Sequence, residues 1–246
     1  MKRERAMGIN AVDGLLRHAP ERLVRAWLKR GNRRLDDLSA RLTKAGVAVE
    51  ETDDRGLDRL ADGVRHQGVI AEFQPRQALD DHGLVDLLER SDETPLLLVL
   101  DGVQDPHNLG ACLRTAAAAG VLAVIAPRDR AAGLTPAARR AAAGAAELVP
   151  LAQVTNLARS LALLADHGIW RLGLVGDADT SLYQANLEGP MALVLGSEER
   201  GLRRLTRERC DQLANIPMAG GIESLNVSVA AGVALFEARR VAGGRA

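Results

Sequence analysis

The sequence predicts an α/β protein in two parts, a small mixed module followed by a larger domain built on a parallel sheet with helices on both faces. Three observations carry this. After Pro95 the chain alternates uninterrupted apolar runs with helix-length segments, the pattern of strands buried on both sides. Residues 9–73 show shorter helix and strand patterns of their own. Between them the chain turns acidic, with Asp80, Asp81, Asp86, Glu89, Asp92 and Glu93 against Arg76 and Arg90. A chain of 246 residues, 47% hydrophobic, suits one large core or two smaller ones. The change at Pro95 decides for two: a domain over residues 1–75, a linker with a short helix over 76–94, and a domain over 95–246.

In the first domain INAVDGLLRHA reads as a helix, RLVRAWLKR as either a strand or a helix, and LDDLSARLTKAG as an amphipathic helix closed by glycine. VAVEE and GVIAEF read as strands. In the second, LLLVL is followed by the helix NLGACLRTAAAAG, the strand VLAVIAP and a helix starting at Thr135-Pro136 and running to Gly144. ELVPL, a helix over 155–167, WRLGLVG, MALVLG and QLANIPM follow, and a final helix runs from Ser224 to about Arg240. Ligands of such sheets bind beyond the carboxyl ends of the strands.

Composition excludes several classes. Cys112 and Cys210 are far apart and outside any CxxC or Cys/His cluster, so neither a disulfide framework nor a metal site is expected. No run reaches the roughly 18 apolar residues of a membrane span and the opening lacks an apolar core, so a cytoplasmic protein with no membrane partner is expected. Aromatics are 2% of residues, which argues against base stacking on a sheet. The net charge is zero, yet residues 1–34 carry a local excess of +7. Within it Arg22, Arg25, Lys29, Arg30, Arg33 and Arg34 form a run without an acid, either a solvated face or a phosphate-binding one.

Three strand-to-loop junctions concentrate the polar chemistry. DGVQDPHNLGACLRT at 101–115 has neither GxGxxG nor GxxxxGK[ST], so a nicotinamide or ATP cofactor has no support. Asn108 there is either a helix cap or a functional amide. Arg114, in a small and apolar helix, serves either a surface ion pair or a carboxylate or phosphate ligand. His107 is set aside as a general base because no acidic partner can be assigned to it. LVLGSEERGL at 193–202 places Glu198 after Gly196, where a missing side chain lets a ligand approach the backbone. IPMAGGIESLNVSVAA at 216–231 brings Glu223, Ser224 and Asn226 to the mouth of a small-residue helix.

Together DPHNLGACLRTA, LVLGSE and IPMAG followed by SLNVSVA resemble the SpoU branch of the SPOUT RNA methyltransferases, closest to its 23S rRNA guanosine 2′-O-methyltransferases. GINAV and HQGVIAEF resemble that subgroup's N-terminal module. The resemblance implies an L30e-like RNA-binding domain, a flexible linker and a SPOUT domain whose tail threads a loop as a trefoil knot. It implies S-adenosyl-L-methionine held by Gly196, Ile216 and Leu225, a catalytic set of Asn108, Arg114, Glu198, Ser224 and Asn226, a homodimer, and 23S rRNA as partner. Three departures leave that set intact: Glu199-Arg200, Asn10 in the opening motif, and the stretch Gly221-Ile222-Glu223.

Methylating a ribose hydroxyl needs no metal, but it requires a weakly acidic nucleophile to be aligned and to lose its proton. A guanidinium, with a pKa above about 12, is a poor base. Arg114 is therefore expected to bind an RNA phosphate and the developing alkoxide. Asn108 and Ser224 are expected to orient loop and ribose, Asn226 to support the cofactor side, and Glu198 to hold the loop or pair with Arg114. Two other readings stay open at this stage, a tRNA 2′-O-methyltransferase and a non-catalytic rRNA-binding assembly factor.

Overall fold

The computed structural model describes residues 3–221 and 224–243. They fall into two compact units, Met1–Arg76 with Ala143–Leu148, and Gln77–Ala142 with Val149–Ala246.

The first unit runs β1 (Glu4–Met7), α1 (Ile9–His18), β2 (Leu23–Lys29), α2 (Asp36–Lys44), β3 (Ala48–Thr52), α3 (Asp54–Ala61) and β4 (Val69–Phe73). RLVRAWLKR is thus a strand. The sheet has the order β1-β4-β2-β3, with β2 and β3 parallel and the other pairs antiparallel. Strand alternation sends Val69, Ala71 and Phe73 into a core shared with Leu15 and Leu42, whereas Ile70 joins Leu57 and Ala61 on the other face. Helices α1 and α2 therefore cover one face and α3 the other. β1 has little sequence signal, being four residues long at the sheet edge with two charges.

The second unit begins with α4 (Asp81–Glu89) and continues β5 (Leu96–Asp101), α5 (Pro106–Ala118), β6 (Ala123–Pro127) and α6 (Pro136–Ala142). After α7 (Ala145–Leu148), which belongs to the first unit, come β7 (Leu151–Val154), α8 (Leu157–Asp166), β8 (Trp170–Leu174), β9 (Met191–Gly196), α9 (Arg204–Glu208), β10 (Gln212–Ala214) and α10 (Val227–Gly243). All six strands are parallel in the order β10-β8-β9-β5-β6-β7. Leu97 and Val99 pack with Leu84 of α4 and with Leu161 and Leu164 of α8. On the opposite face α5 packs against α6 and α10. Gly110 permits this closeness, because a Cβ there would lie 2.4 Å from the Ala138 carbonyl oxygen. The chain passes from the central strand β9 out to edge strand β10 and back to α10, which packs on β9 and α5. That course fits the threaded tail implied by the resemblance.

Two expectations need correction. Residues 76–94 do not form a free linker: from Gln77 they pack within the second unit, where Leu79 exchanges backbone hydrogen bonds with Leu151 and Gln153. Asp81 fixes the start of α4 by accepting the Thr155 N–H at 3.1 Å, and Leu84 is fully buried. An acidic surface on one side of a short helix conceals the apolar side that docks. ELVPL is not one strand either; its first two residues end α7 and the strand starts at Leu151, after Pro150.

At the sheet edge Asp211 accepts the Arg171 backbone N–H and Nε–H, both at 2.8 Å, and also pairs with its Nη2. These hydrogen bonds outweigh burial and hold the Asp211 carboxyl below the usual carboxylate range. Its contribution is therefore present above the unfolded-state pKa and lost as pH falls through the lower folded-state value. Asp211→Asn is expected to cost about 2 kcal/mol at neutral pH. In urea unfolding, that difference should narrow as the pH is taken down through the acid range.

Candidate active site

The three junctions converge at the carboxyl ends of the central strands. After β5, Asp105 caps α5 by accepting the His107 N–H at 2.8 Å, and Pro106 takes the first helical position. Asn108 is therefore inside the first turn and is not the cap. After β9, Gly196 runs into a loop that folds back on itself, with the Gly201 N–H donating to the Ser197 carbonyl at 2.8 Å. A Cβ on Gly196 would stand 2.0 Å from the Gly201 carbonyl carbon. The third junction ends at Asn226, whose Oδ1 accepts the Ser228 N–H at 2.9 Å. α10 thus starts at Val227 instead of Ser224, because Asn226 supplies the cap. Ile222 and Glu223 lie outside the described residues.

One oxygen of Glu198 joins these junctions. Its Oε1 accepts from Asn108 Nδ2 at 3.1 Å, from Asn226 Nδ2 at 2.7 Å and from the Val227 backbone N–H at 3.2 Å. Asn226 Nδ2 also donates to Asn108 Oδ1 at 3.0 Å. The carboxylate sits at the N-terminus of a 17-residue helix, where the dipole favours negative charge. Glu198 is consumed in holding the loops and does not pair with Arg114. Arg114 is exposed on α5 and, among the described residues, has no hydrogen-bond or ion-pair partner. Ser224 is likewise exposed and unpartnered. The arrangement separates a locked amide-carboxylate network from two groups free to meet a ligand.

Beside the network lies a cavity of about 670 Å³, lined among others by Gly196, Ile216 and Leu225, as well as Glu198 and Ser224. Leu174, Leu195, Pro217 and Met218 give it apolar walls. The backbone N–H groups of Ile216 and Leu225 have no partner among the described residues. Apolar walls with a few open backbone donors and a carboxylate at one end suit a nucleoside carrying a positive charge. The walls also include residues 174–177 after β8 and Arg207, which pairs with Asp177 at 3.0 Å. Sequence reasoning missed these, although Gly176, which ends the run WRLGLVG, was a usable signal.

The six cations of the first unit do not act as one patch. β2 lies in register beside β3, with Trp27 opposite Glu50 and Leu28 opposite Glu51. Arg25 pairs with Glu50 at 3.4 Å, Lys29 with Asp54 at 2.6 Å and Arg30 with Glu51 at 3.6 Å. Arg22 pairs with Glu21 at 3.4 Å and Glu147 at 3.5 Å. Only Arg33 and Arg34 of the six are exposed without a side-chain partner. A run with no acid along the chain is neutralised across the sheet. Among the described residues no cluster of three His, Cys, Asp or Glu could hold a metal ion, and no helix is long and apolar enough to cross a membrane.

Residues 95–236 match the profile of the SpoU rRNA Methylase family, and residues 5–79 that of RNA 2'-O ribose methyltransferase substrate binding. Over 239 residues the chain is 54% identical to the Pseudomonas aeruginosa protein named 23S rRNA (guanosine-2'-O-)-methyltransferase RlmB, covering 96% of each. The solved structure of an RNA 2'-O ribose methyltransferase aligns with a TM-score of 0.75 at 27% identity, over 97% of this chain and 88% of that one. An AdoMet-bound rRNA methyltransferase from Sinorhizobium meliloti aligns with a TM-score of 0.76 at 25% identity, over 97% and 87%.

Cys112 lies one helical turn beyond Asn108, and burial together with the nearby Glu198 charge pushes its thiol up to about 12. Burial does the same to Cys210, which also reaches about 12. A thiol-reactive chromophore at pH 8 is therefore expected to label neither cysteine in the folded protein and both after denaturation.

Proposed function

Because the chain belongs to the SpoU rRNA methylase family, we infer that it transfers the methyl group of S-adenosylmethionine to the ribose 2′-oxygen of a guanosine in 23S rRNA. The observation that carries this is the match to an enzyme of that name over nearly the whole of both chains. The site supports it, since the Glu198 network borders a cavity whose walls suit the cofactor. S-adenosylmethionine supplies a methyl group already activated on a sulfonium. The protein's task is to align the sugar hydroxyl and favour loss of its proton.

Arg114, exposed about two helical turns beyond Asn108 and without a partner among the described residues, is the cation we assign to that task. A guanidinium offers donors and no acceptor, so it stabilises the developing alkoxide and holds a neighbouring phosphate, while phosphate or water takes the proton. Asn108 and Asn226 act by fixing Glu198 and, through it, the cofactor loop. Ser224, exposed at the cavity, orients the ribose. Gly196, Ile216 and Leu225 hold the cofactor by backbone groups and apolar contact.

In the first unit Arg33 and Arg34 carry the phosphate contacts, supported by their freedom from internal ion pairs. The protein acts as a homodimer in the cytoplasm. Support for the dimer comes from Val229 and Phe236, 50% and 52% exposed and two turns apart on α10.

Labelled methyl transfer to protein-free 23S rRNA, with nuclease mapping to 2′-O-methylguanosine, tests the activity; label appearing only on tRNA would overturn the substrate. Arg114→Lys is expected to lower kcat by about 100-fold, since an ammonium cannot reproduce the planar fork. Wild-type turnover in that variant would remove the clamp role. Replacing Arg33 and Arg34 together by Ala should raise KM for RNA and flatten its salt dependence by about two phosphate contacts while sparing kcat. Arg25→Ala should change these quantities little.

A further inference from the structure

We infer that Asp101 is a positioning residue for cofactor binding, acting by clamping Arg203 and so fixing the loop 197–203 that forms one wall of the cavity. The inference rests on the reading of that cavity as the S-adenosylmethionine site. Asp101 is the last residue of β5 and is 1% exposed. A carboxylate so buried is costly unless its oxygens are engaged. Its Oδ2 accepts the Arg203 backbone N–H at 2.9 Å, while its buried Oδ1 accepts no hydrogen bond and is compensated by the charge of Arg203, whose Nε stands 3.4 Å away. The same guanidinium lies over Gly102, where a Cβ would come within 3.2 Å of Nη2 and where φ is +81°. Asp101 and Gly102 together form a seat for one arginine.

The seat matters because of what the arginine terminates. Asp101 is the register partner of Gly196, the residue from which the loop departs. The loop is closed at its near end by the Gly201 N–H to Ser197 hydrogen bond and by the backbone of Gly201 lying against Gly196. Its far end is held by Asp101. The turn closed by Gly201 carries Glu198, whose Oε1 gathers the three donors, and Arg200; Leu202 links that turn to Arg203, and Arg200, Gly201 and Leu202 all line the cavity. Releasing Arg203 therefore moves the cavity wall and Glu198 together, without touching RNA.

The test uses the full chain and compares Asp101→Asn, Arg203→Ala, Arg203→Lys and the Asp101→Asn, Arg203→Ala double variant. S-adenosylmethionine affinity is read by calorimetry, KM for RNA by methyl transfer, and amide exchange of residues 197–203 in the cofactor-free protein. Asp101→Asn and Arg203→Ala should each weaken cofactor binding by about tenfold, leave KM for RNA unchanged and speed exchange in the loop. The double variant should be no weaker than either single one, and Arg203→Lys should recover part of the loss. Wild-type affinity in Asp101→Asn, or losses that add in the double variant, would overturn the inference. If Asp101→Asn does not fold, wild-type affinity and exchange in Arg203→Ala overturn it equally. A wild-type protein that binds the cofactor but methylates no rRNA would overturn the proposed activity and leave the clamp standing; one that binds no cofactor would overturn both.

Discussion

A single carboxylate oxygen, Glu198 Oε1, gathers donors from Asn108, ninety residues before it, and from the adjacent residues Asn226 and Val227, some thirty residues after it. Glu198 and Asn226 are exposed and Asn108 is half-buried, so the network is held by charge-assisted hydrogen bonds and by the helix terminus and not by exclusion of water. The two asparagines also bond to each other, so each member is fixed by the other two. The constraint reaches outward from there. It fixes where α5 starts relative to α10, and it holds open the cavity floor between β9 and the final helix.

The parallel sheet was readable because strands buried on both faces leave an unbroken apolar signature, as in LLLVL and MALVLG. The three junctions were readable for a related reason: polar residues directly after such strands have few structural duties. What could not be read was pairing in space. Glu50 and Glu51 of β3 follow the basic strand by some twenty residues, and only the parallel register brings them beside Arg25 and Arg30, with Asp54 just beyond β3 reaching Lys29. The supposed linker concealed its docking because Leu79 and Leu84 are spaced among acids. The role of Ser224 as helix start failed because Asn226, two residues on and an equally good cap by type, is the one whose side chain accepts the Ser228 N–H. Asp101 gave no signal at all, since an aspartate ending a strand is common and its partner lies about a hundred residues away.

A protein of zero net charge that handles a polyanion must keep a few cations unpaired and the rest neutralised. Arg114, Arg33 and Arg34 are the exposed arginines of the predicted sites that the fold leaves free. Internal ion pairs on β2 restrain the charge of the first unit and so limit unspecific adhesion to RNA. The proposed contacts of Arg33 and Arg34 would be placed by the turn in which Asn32 accepts the Arg34 N–H at 3.2 Å.

The course of the chain from β9 to α10 has a bearing on biosynthesis. Most of the parallel sheet is encoded before residue 196, so the nascent chain can collapse around it while the rest is still being made. At that stage Glu198 has neither Asn226 nor the Val227 N–H, and the cavity lacks the lining that Ile216, Pro217, Met218, Ser224 and Leu225 supply. A methyltransferase built in this order is inert during its own translation. The cavity beside Glu198 is completed only when α10 has been made and has folded back onto β9 and α5.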